Sequence, residues 1–152
     1  MNSLSRKNSI NNIKTFFYKK NWEPLPYQIQ TWEAYLKGEN GIIQVPTGCG
    51  KTYAALMGPL SKLKDPKKTD GLNILLITPL KALSRDLKNS IHLAAQHFSQ
   101  DITIGIRNGD TSPYEKRKQI LQPPNILITT PESLSLLLSN KQSNKLFSNL
   151  TS

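Results

Sequence analysis

The feature that most constrains this chain is a glycine-rich turn with the sequence VPTGCGKT at residues 45–52. It follows the apolar run 42–45 and precedes residues with helical spacing, and a turn between a strand and a helix is the setting of a phosphate-binding loop. Gly48 and Gly50 let backbone amides turn inward around phosphate oxygens, because neither residue has a side chain that blocks the approach. The turn therefore predicts a bound phosphate.

Two side chains that follow the glycines suit the same ligand. Lys51 offers a cation to the β- and γ-phosphates of a nucleotide, and Thr52 offers a hydroxyl to a Mg²⁺ ion bound with it. The helix that begins here also directs the positive end of its dipole at the anion. We expect ATP and Mg²⁺ as cofactors, with Lys51 and Thr52 as the catalytic residues and Thr52 as the metal contact through ATP. The loop residues predicted to contact the nucleotide are Thr47, Gly48, Cys49, Gly50, Lys51 and Thr52.

Short β-branched runs alternate with helical segments along the chain. The predicted strands span residues 42–45, 72–78, 102–107 and 125–129. The predicted helices follow Pro26, span residues 51–63, 80–98 and 113–121, and begin again at Pro131. Such alternation favours an α/β fold, with a parallel sheet and helices on both faces. We expect a mobile tail over residues 1–14, because they are rich in Asn and Ser and carry three cations and no acid.

Composition limits the class of protein. The chain has 152 residues, of which 37% are hydrophobic, enough for the core of one domain. Its formal net charge of +10 indicates either a polyanionic partner or a solvated basic surface. The single cysteine, Cys49, excludes an internal disulfide, and no apolar run approaches the roughly 20 residues that span a bilayer. We expect a soluble, cytoplasmic protein with no membrane partner.

Six motifs occur in the order and spacing seen in superfamily 2 helicases. They are WEPLPYQ at 22–28, WEAYL at 32–36, the loop at 45–52, TPLKAL at 78–83, RNGDT at 107–111 and TPESLSLLL at 130–138. Together they resemble the N-terminal part of a large helicase-related (Lhr-like) DEXH-box enzyme of the ligase-associated type. The resemblance implies a RecA-like P-loop NTPase fold, of which this chain holds an incomplete first helicase lobe. The chain departs from the general loop pattern at Val45, where that pattern has Gly and the helicase version admits Val.

This resemblance also implies roles for segments and residues. Residues 15–40 form an adenine-recognition segment like a Q motif, and residues 41–152 form the N-terminal part of the ATP-binding domain. Gln28 stands where the family has the glutamine that reads adenine, since an amide can donate and accept at once. In the family, the segments after three of the strands hold the backbone of a nucleic-acid strand through hydroxyls and helix-start amides. The implied contacts are Thr78, Pro79, Lys81, Arg107, Asp110, Thr130, Pro131 and Ser133.

Some of these assignments have structural alternatives. The Thr-Pro steps at 78–79 and 130–131 can cap helices, and capping and phosphate contact are compatible. The family usually has Thr or a similar residue where Asn108 stands, which makes the role of its neighbours Arg107 and Asp110 less firmly assigned.

By resemblance, the parent enzyme couples ATP hydrolysis to movement on single-stranded or 3′-tailed DNA. The pathway implied is DNA repair, with a DNA ligase or nuclease encoded nearby as partner. The Asp-Glu-x-His tetrad of such enzymes occurs nowhere in the sequence, so we expect a truncated, catalytically incomplete piece of the motor. Two alternatives stay open. One is an RNA helicase or another P-loop translocase, and the other is a non-enzymatic basic fragment that binds nucleic acid and has a vestigial loop.

Overall fold

A computed structural model describes residues 3–63, 71–79, 81–139 and 146–152, and the side chains of residues 81–86 lie outside the described part. The chain divides into two compact units, residues 1–64 and residues 65–152. We call them the helical unit and the sheet unit. Over the described residues, no helix is both long enough and apolar enough to cross a bilayer.

The helical unit contains α1 (Ser3–Tyr18), α2 (Pro26–Lys37) and α3 (Lys51–Lys62). Pro26 is the first helical residue of α2, where its missing N–H is not needed, and Gly38 ends the helix with a φ of 89°. The indole Nε1 of Trp32 donates to the carbonyl of Tyr53 at 3.1 Å, which ties α2 to α3. The helices predicted after Pro26 and over residues 51–63 are therefore confirmed. The buried core of this unit includes Ile13, Phe16, Phe17, Trp32, Leu36, Leu56, Met57 and Leu60.

The prediction of a mobile tail over residues 1–14 was wrong from Ser3 onward, because α1 covers this stretch. The apolar residues Ile10, Ile13 and Phe17 recur at intervals of three and four, so they share one face of the helix. That face is buried, with Ile13 fully covered. Composition pointed to a tail because the polar residues outnumber the apolar ones, whereas the spacing of the few apolar residues determines the structure.

The predicted strand at 42–45 was also wrong. Residues 41–46 have no regular secondary structure, and the side chain of Ile42 is 95% exposed. A strand is stabilised by backbone hydrogen bonds to a neighbouring strand, and the helical unit offers no other strand over its described residues. An apolar, β-branched run is therefore left as a connection without regular secondary structure that leads into the glycine-rich loop.

The sheet unit contains β1 (Ile74–Ile77), α4 (Lys81–Phe98), β2 (Ile104–Arg107), α5 (Pro113–Leu121), β3 (Ile126–Thr129) and α6 (Pro131–Leu138). The strands pair in parallel in the order β1-β3-β2. Every residue of β3 is buried, as expected for the central strand of a sheet covered on both faces. A cluster of Leu72, Leu127, Leu137 and Leu146 forms part of the core. The predicted α/β fold with a parallel sheet is confirmed, and each strand lies inside its predicted span.

The packing of α1 generates a test of the helical unit. Replacement of the fully buried Ile13 by Ala is expected to lower the free energy of unfolding by about 2–5 kcal/mol, because it leaves a cavity under α1. Leu4→Ala is the matched control, since Leu4 lies on the same helix and is 67% exposed. It should change the stability by no more than about 0.5 kcal/mol. Urea unfolding measures both, and equal stability of the two variants would mean that α1 does not pack.

Candidate nucleotide and nucleic-acid sites

Two glycines of the glycine-rich loop adopt a backbone conformation that favours glycine. Gly48 and Gly50 have φ angles of 83° and 82°, in the left-handed region that glycine enters without strain. Gly50 is also the residue that caps α3, and no side chain caps this helix start. The first amides of α3 are therefore without a side-chain acceptor, which suits an anion at this position.

The Lys51 side chain folds back over the loop. Its Nζ donates to the carbonyl of Val45 at 2.7 Å and to the carbonyl of Pro46 at 3.0 Å. The cation is thus held within the turn, where a phosphate group bound by the loop amides would meet it. Thr52, the second residue of α3, is half-buried.

The Gln28 side chain connects the start of α2 to this loop. Its Oε1 accepts from the backbone N–H of Leu25 at 2.9 Å, and its Nε2 donates to the carbonyl of Gly50 at 3.1 Å. The side chain is only 3% exposed. A primary amide has two N–H donors and an oxygen with two lone pairs, and the Gln28 side chain also makes a hydrogen bond with the Tyr27 hydroxyl.

Tyr27 makes a second contact to the loop that sequence reasoning missed. Its hydroxyl donates to the carbonyl of Cys49, next to the carbonyl that Gln28 holds. Desolvation, with a smaller contribution from Cys49, raises the pKa of the phenol, which therefore stays protonated and able to donate at neutral pH. The only sequence signal for this role is that Tyr27 precedes Gln28. This contact is made by the backbone carbonyl of Cys49 and not by its thiol.

Aromatic residues near the loop pack against one another. Phe17 is 3% exposed, and its ring centroid lies 5.3 Å from that of Trp32. The Trp22 ring is 44% exposed and has its centroid 5.7 Å from that of Tyr53. Phe17 is therefore a core residue, whereas part of the Trp22 ring is exposed to solvent.

In the sheet unit, three of the motifs that resemble those of superfamily 2 helicases lie at the same edge of the sheet. Because the strands are parallel, their carboxyl ends lie side by side, and Thr129 of the central strand pairs with Ile77 on one side and Arg107 on the other. The N–H of Thr78 continues the ladder by donating to the carbonyl of Thr129 at 2.9 Å. Ligands of open α/β sheets bind at this edge. The segments that begin at Thr78, Asn108 and Thr130 are therefore neighbours.

The hydroxyl of Thr130 caps α6. It accepts from the backbone N–H of Ser133 at 3.4 Å, so the capping role that the sequence left open is present. Thr130 and Ser133 are 4% and 7% exposed, whereas Pro131 and Glu132 are exposed. Hydrogen bonds from its own backbone amide and from the Thr130 hydroxyl lower the pKa of Glu132. The start of α6 thus presents a carboxylate as well as the helix dipole.

Arg107 and Asp110 differ in exposure. The guanidinium of Arg107 donates through Nη1 to the carbonyl of Lys116 at 2.9 Å, which ties β2 to α5, and burial lowers the pKa of this side chain. It remains positively charged at neutral pH. Asp110 is exposed and lies in a turn stabilised by Asn108, whose Oδ1 accepts from the N–H of Asp110 at 3.0 Å. Thr78 is 7% exposed, Pro79 is exposed, and the Lys81 side chain lies outside the described residues.

The fold and the loop are those of a P-loop, RecA-like helicase lobe. The chain belongs to the DEAD/DEAH box helicase family, whose model matches residues 25–152. Among known proteins it is similar to the Lhr helicase/probable uracil glycosylase of Mycolicibacterium smegmatis. The two are 39% identical over an alignment of 129 residues, and the match covers 77% of this chain and 9% of that protein.

Solved structures agree with this assignment. The helicase Lhr of Mycobacterium smegmatis, bound to single-stranded DNA and AMP-PNP, superposes with a TM-score of 0.80 at 32% identity. The match covers 91% of this chain and 19% of that one. The DUF1998 helicase MrfA bound to DNA has a TM-score of 0.76 at 28% identity, over 91% of this chain and 20% of its own. This chain therefore spans a small part of the length of the helicases it matches.

The two loop glycines generate a prediction, because they share a φ angle and differ in surroundings. Ala at either position should cost about 1–2 kcal/mol for the left-handed backbone. A Cβ at Gly50 would lie 2.7 Å from Nε2 of Gln28, whereas a Cβ at Gly48 would meet nothing within 4 Å. Gly50→Ala is therefore expected to destabilise the protein more than Gly48→Ala in urea unfolding. Equal losses would show that Gln28 is not held against the loop.

Proposed function

We propose that this chain supplies the ATP-binding loop and part of the strand-binding surface of an ATP-dependent DNA helicase or translocase. The observation that carries the proposal is the loop, with two glycines in the left-handed conformation, an uncapped helix start and Lys51 folded into the turn. Backbone amides and one cation in this arrangement suit a nucleotide phosphate. AMP-PNP and single-stranded DNA in the related Lhr structure support the same ligands here.

In this proposal the predicted nucleotide residues have separate tasks. Thr47, Gly48, Cys49 and Gly50 provide backbone groups, Lys51 faces the β- and γ-phosphates, and Thr52 contacts Mg²⁺ through its hydroxyl. Gln28 is assigned to the edge of adenine, which offers one acceptor and one donor side by side, because an amide can donate and accept at once. The same amide thus connects the adenine to the loop carbonyl at Gly50.

At the sheet edge we propose contacts to the backbone of a DNA strand. The contacting groups are helix-start amides and the cation of Lys81, and Pro79, Asp110 and Pro131 are the exposed residues beside them. Thr78, Thr130, Ser133 and Arg107 shape this edge from beneath, because they are largely buried or tied to neighbouring groups. Such contacts do not read bases, so they allow movement along any sequence. DNA repair as the pathway, a DNA ligase or nuclease as partner, and a cytoplasmic location stay predictions from the resemblance.

The nucleotide site is tested by Lys51→Ala. Loss of a charged hydrogen-bonding group should weaken binding of a fluorescent ATP analogue by about ten- to a hundredfold, which corresponds to roughly 1.5–3 kcal/mol. Lys118→Ala removes the same charge from an exposed site on α5 and should leave binding unchanged. If Lys51→Ala bound the ATP analogue as tightly as the unmodified chain does, the loop would not be the nucleotide site.

The strand site is tested by Lys81→Gln, since Lys81 is the first residue of α4 and follows the carboxyl end of β1. Affinity for single-stranded DNA should fall alike for every sequence, and the slope of log affinity against log salt should shrink by about 0.7. Lys88→Gln is the matched control, because Lys88 is exposed on the same helix two turns further along. Equal effects of the two variants would count against binding at this edge.

The next prediction distinguishes binding of ATP from its hydrolysis. The sequence holds no Asp-Glu-x-His tetrad, so it supplies no acid at the position that aims the attacking water in this family. We expect the chain to bind ATP and to release phosphate no faster than the uncatalysed background, with or without single-stranded DNA. DNA-stimulated phosphate release by the purified chain would show that a carboxylate elsewhere in it performs this task.

A further inference from the structure

A groove between α1 and α2 in the helical unit is lined by eight residues, four of which are cations. Its volume is about 360 Å³, and its walls include Arg6, Lys7 and Lys14 from α1 and Lys37 from α2. One carboxylate, Glu33, lines it as well, so the titratable side chains of the groove carry a net charge of +3. A surface of this charge favours an anionic ligand.

The floor of the groove is apolar and contains no stacking platform. Ile10 and Leu36 lie beneath the cations and are 9% and 4% exposed, so the long stems of the lysines can rest on them while their charged ends stay in water. Over the described residues, no aromatic side chain lines the groove. Stacking on aromatic rings is how proteins hold single-stranded bases, so this groove suits phosphates and not bases.

The row of charges is long enough for a polymer. Lys7 and Lys14 are seven residues apart on α1, which places them about 10 Å apart along the helix axis. Three of the five cations in the first 20 residues line the groove, and this stretch of sequence contains no acid. A single small anion would need only one end of such a row, whereas a chain of phosphates can use its whole length.

We propose that this groove binds the phosphate backbone of a nucleic-acid strand. It forms a second contact region, on α1 and α2, apart in sequence from the motifs that follow β1, β2 and β3. The contact is electrostatic and does not depend on base sequence, because the groove offers cations and an apolar floor and no ring to stack on. It goes beyond the proposed ATP and strand sites and requires neither of them.

The test is the double variant Lys7→Gln/Lys14→Gln in the full chain, titrated with a fluorescent oligothymidylate at several salt concentrations. We expect weaker binding at low salt and a salt slope smaller by about 1.4, since two single-strand phosphate contacts are lost. The control is Lys19→Gln/Lys118→Gln, which removes the same charge from two exposed positions outside the groove. It should keep the slope of the unmodified chain. Thermal unfolding of both variants verifies that the folds are equally stable.

Two outcomes overturn the proposal. Equal losses in the two double variants would show that only the net charge of the chain matters. Normal oligothymidylate binding by Lys7→Gln/Lys14→Gln, with loss of binding to poly-L-glutamate, would assign the groove to an acidic protein segment instead. The sheet-edge proposal is tested independently of the groove, because Lys81→Gln changes only that edge and leaves the groove intact.

Discussion

The hydrogen bonds from the first turn of α2 to the glycine-rich loop are the interaction on which the proposed nucleotide site depends. Gln28 joins the N–H of Leu25 to the carbonyl of Gly50, and Tyr27 holds the adjacent carbonyl of Cys49. A loop with two glycines can adopt many backbone conformations in the unfolded chain. Side chains that hold its carbonyls in one position also fix the direction of the amides in the same peptide groups. The loop amides are the groups that would donate hydrogen bonds to a phosphate. By fixing the loop carbonyls, the side chains of α2 therefore also stabilise the orientation of these amides.

Much of this arrangement could be predicted because it depends on local chemistry. Prolines at 26, 113 and 131 begin helices at the positions where a missing N–H is harmless, and Gly48 and Gly50 enter the left-handed region. The parallel sheet followed from the alternation of strands and helices. With the sheet known to be parallel, the meeting of Thr78, Asn108 and Thr130 at its carboxyl edge needed no further information.

What could not be predicted depends on contacts between residues distant in sequence. The tail assigned to residues 1–14 is helical because Ile13 finds a core formed with α2 and α3. The run at 42–45 has the composition of a strand and finds no strand to pair with in the described helical unit. Tyr27 contacts a carbonyl 22 residues away, and a contact of that kind leaves no periodic signal. The hydroxyls expected to face a nucleic acid, on Thr130 and Ser133, are instead largely buried in a helix cap.

Two sets of polar groups thus serve different ligands in this account, with loop amides and Lys51 for a nucleotide and the sheet edge for a strand backbone. We expect the nucleotide to be held by the loop and by the start of α2. Hydrogen–deuterium exchange of the chain with and without saturating Mg²⁺ and AMP-PNP measures this directly. Amides of residues 47–52 should exchange more slowly when the nucleotide is present. Unchanged exchange across the whole loop, under conditions where the nucleotide is bound, would contradict the account.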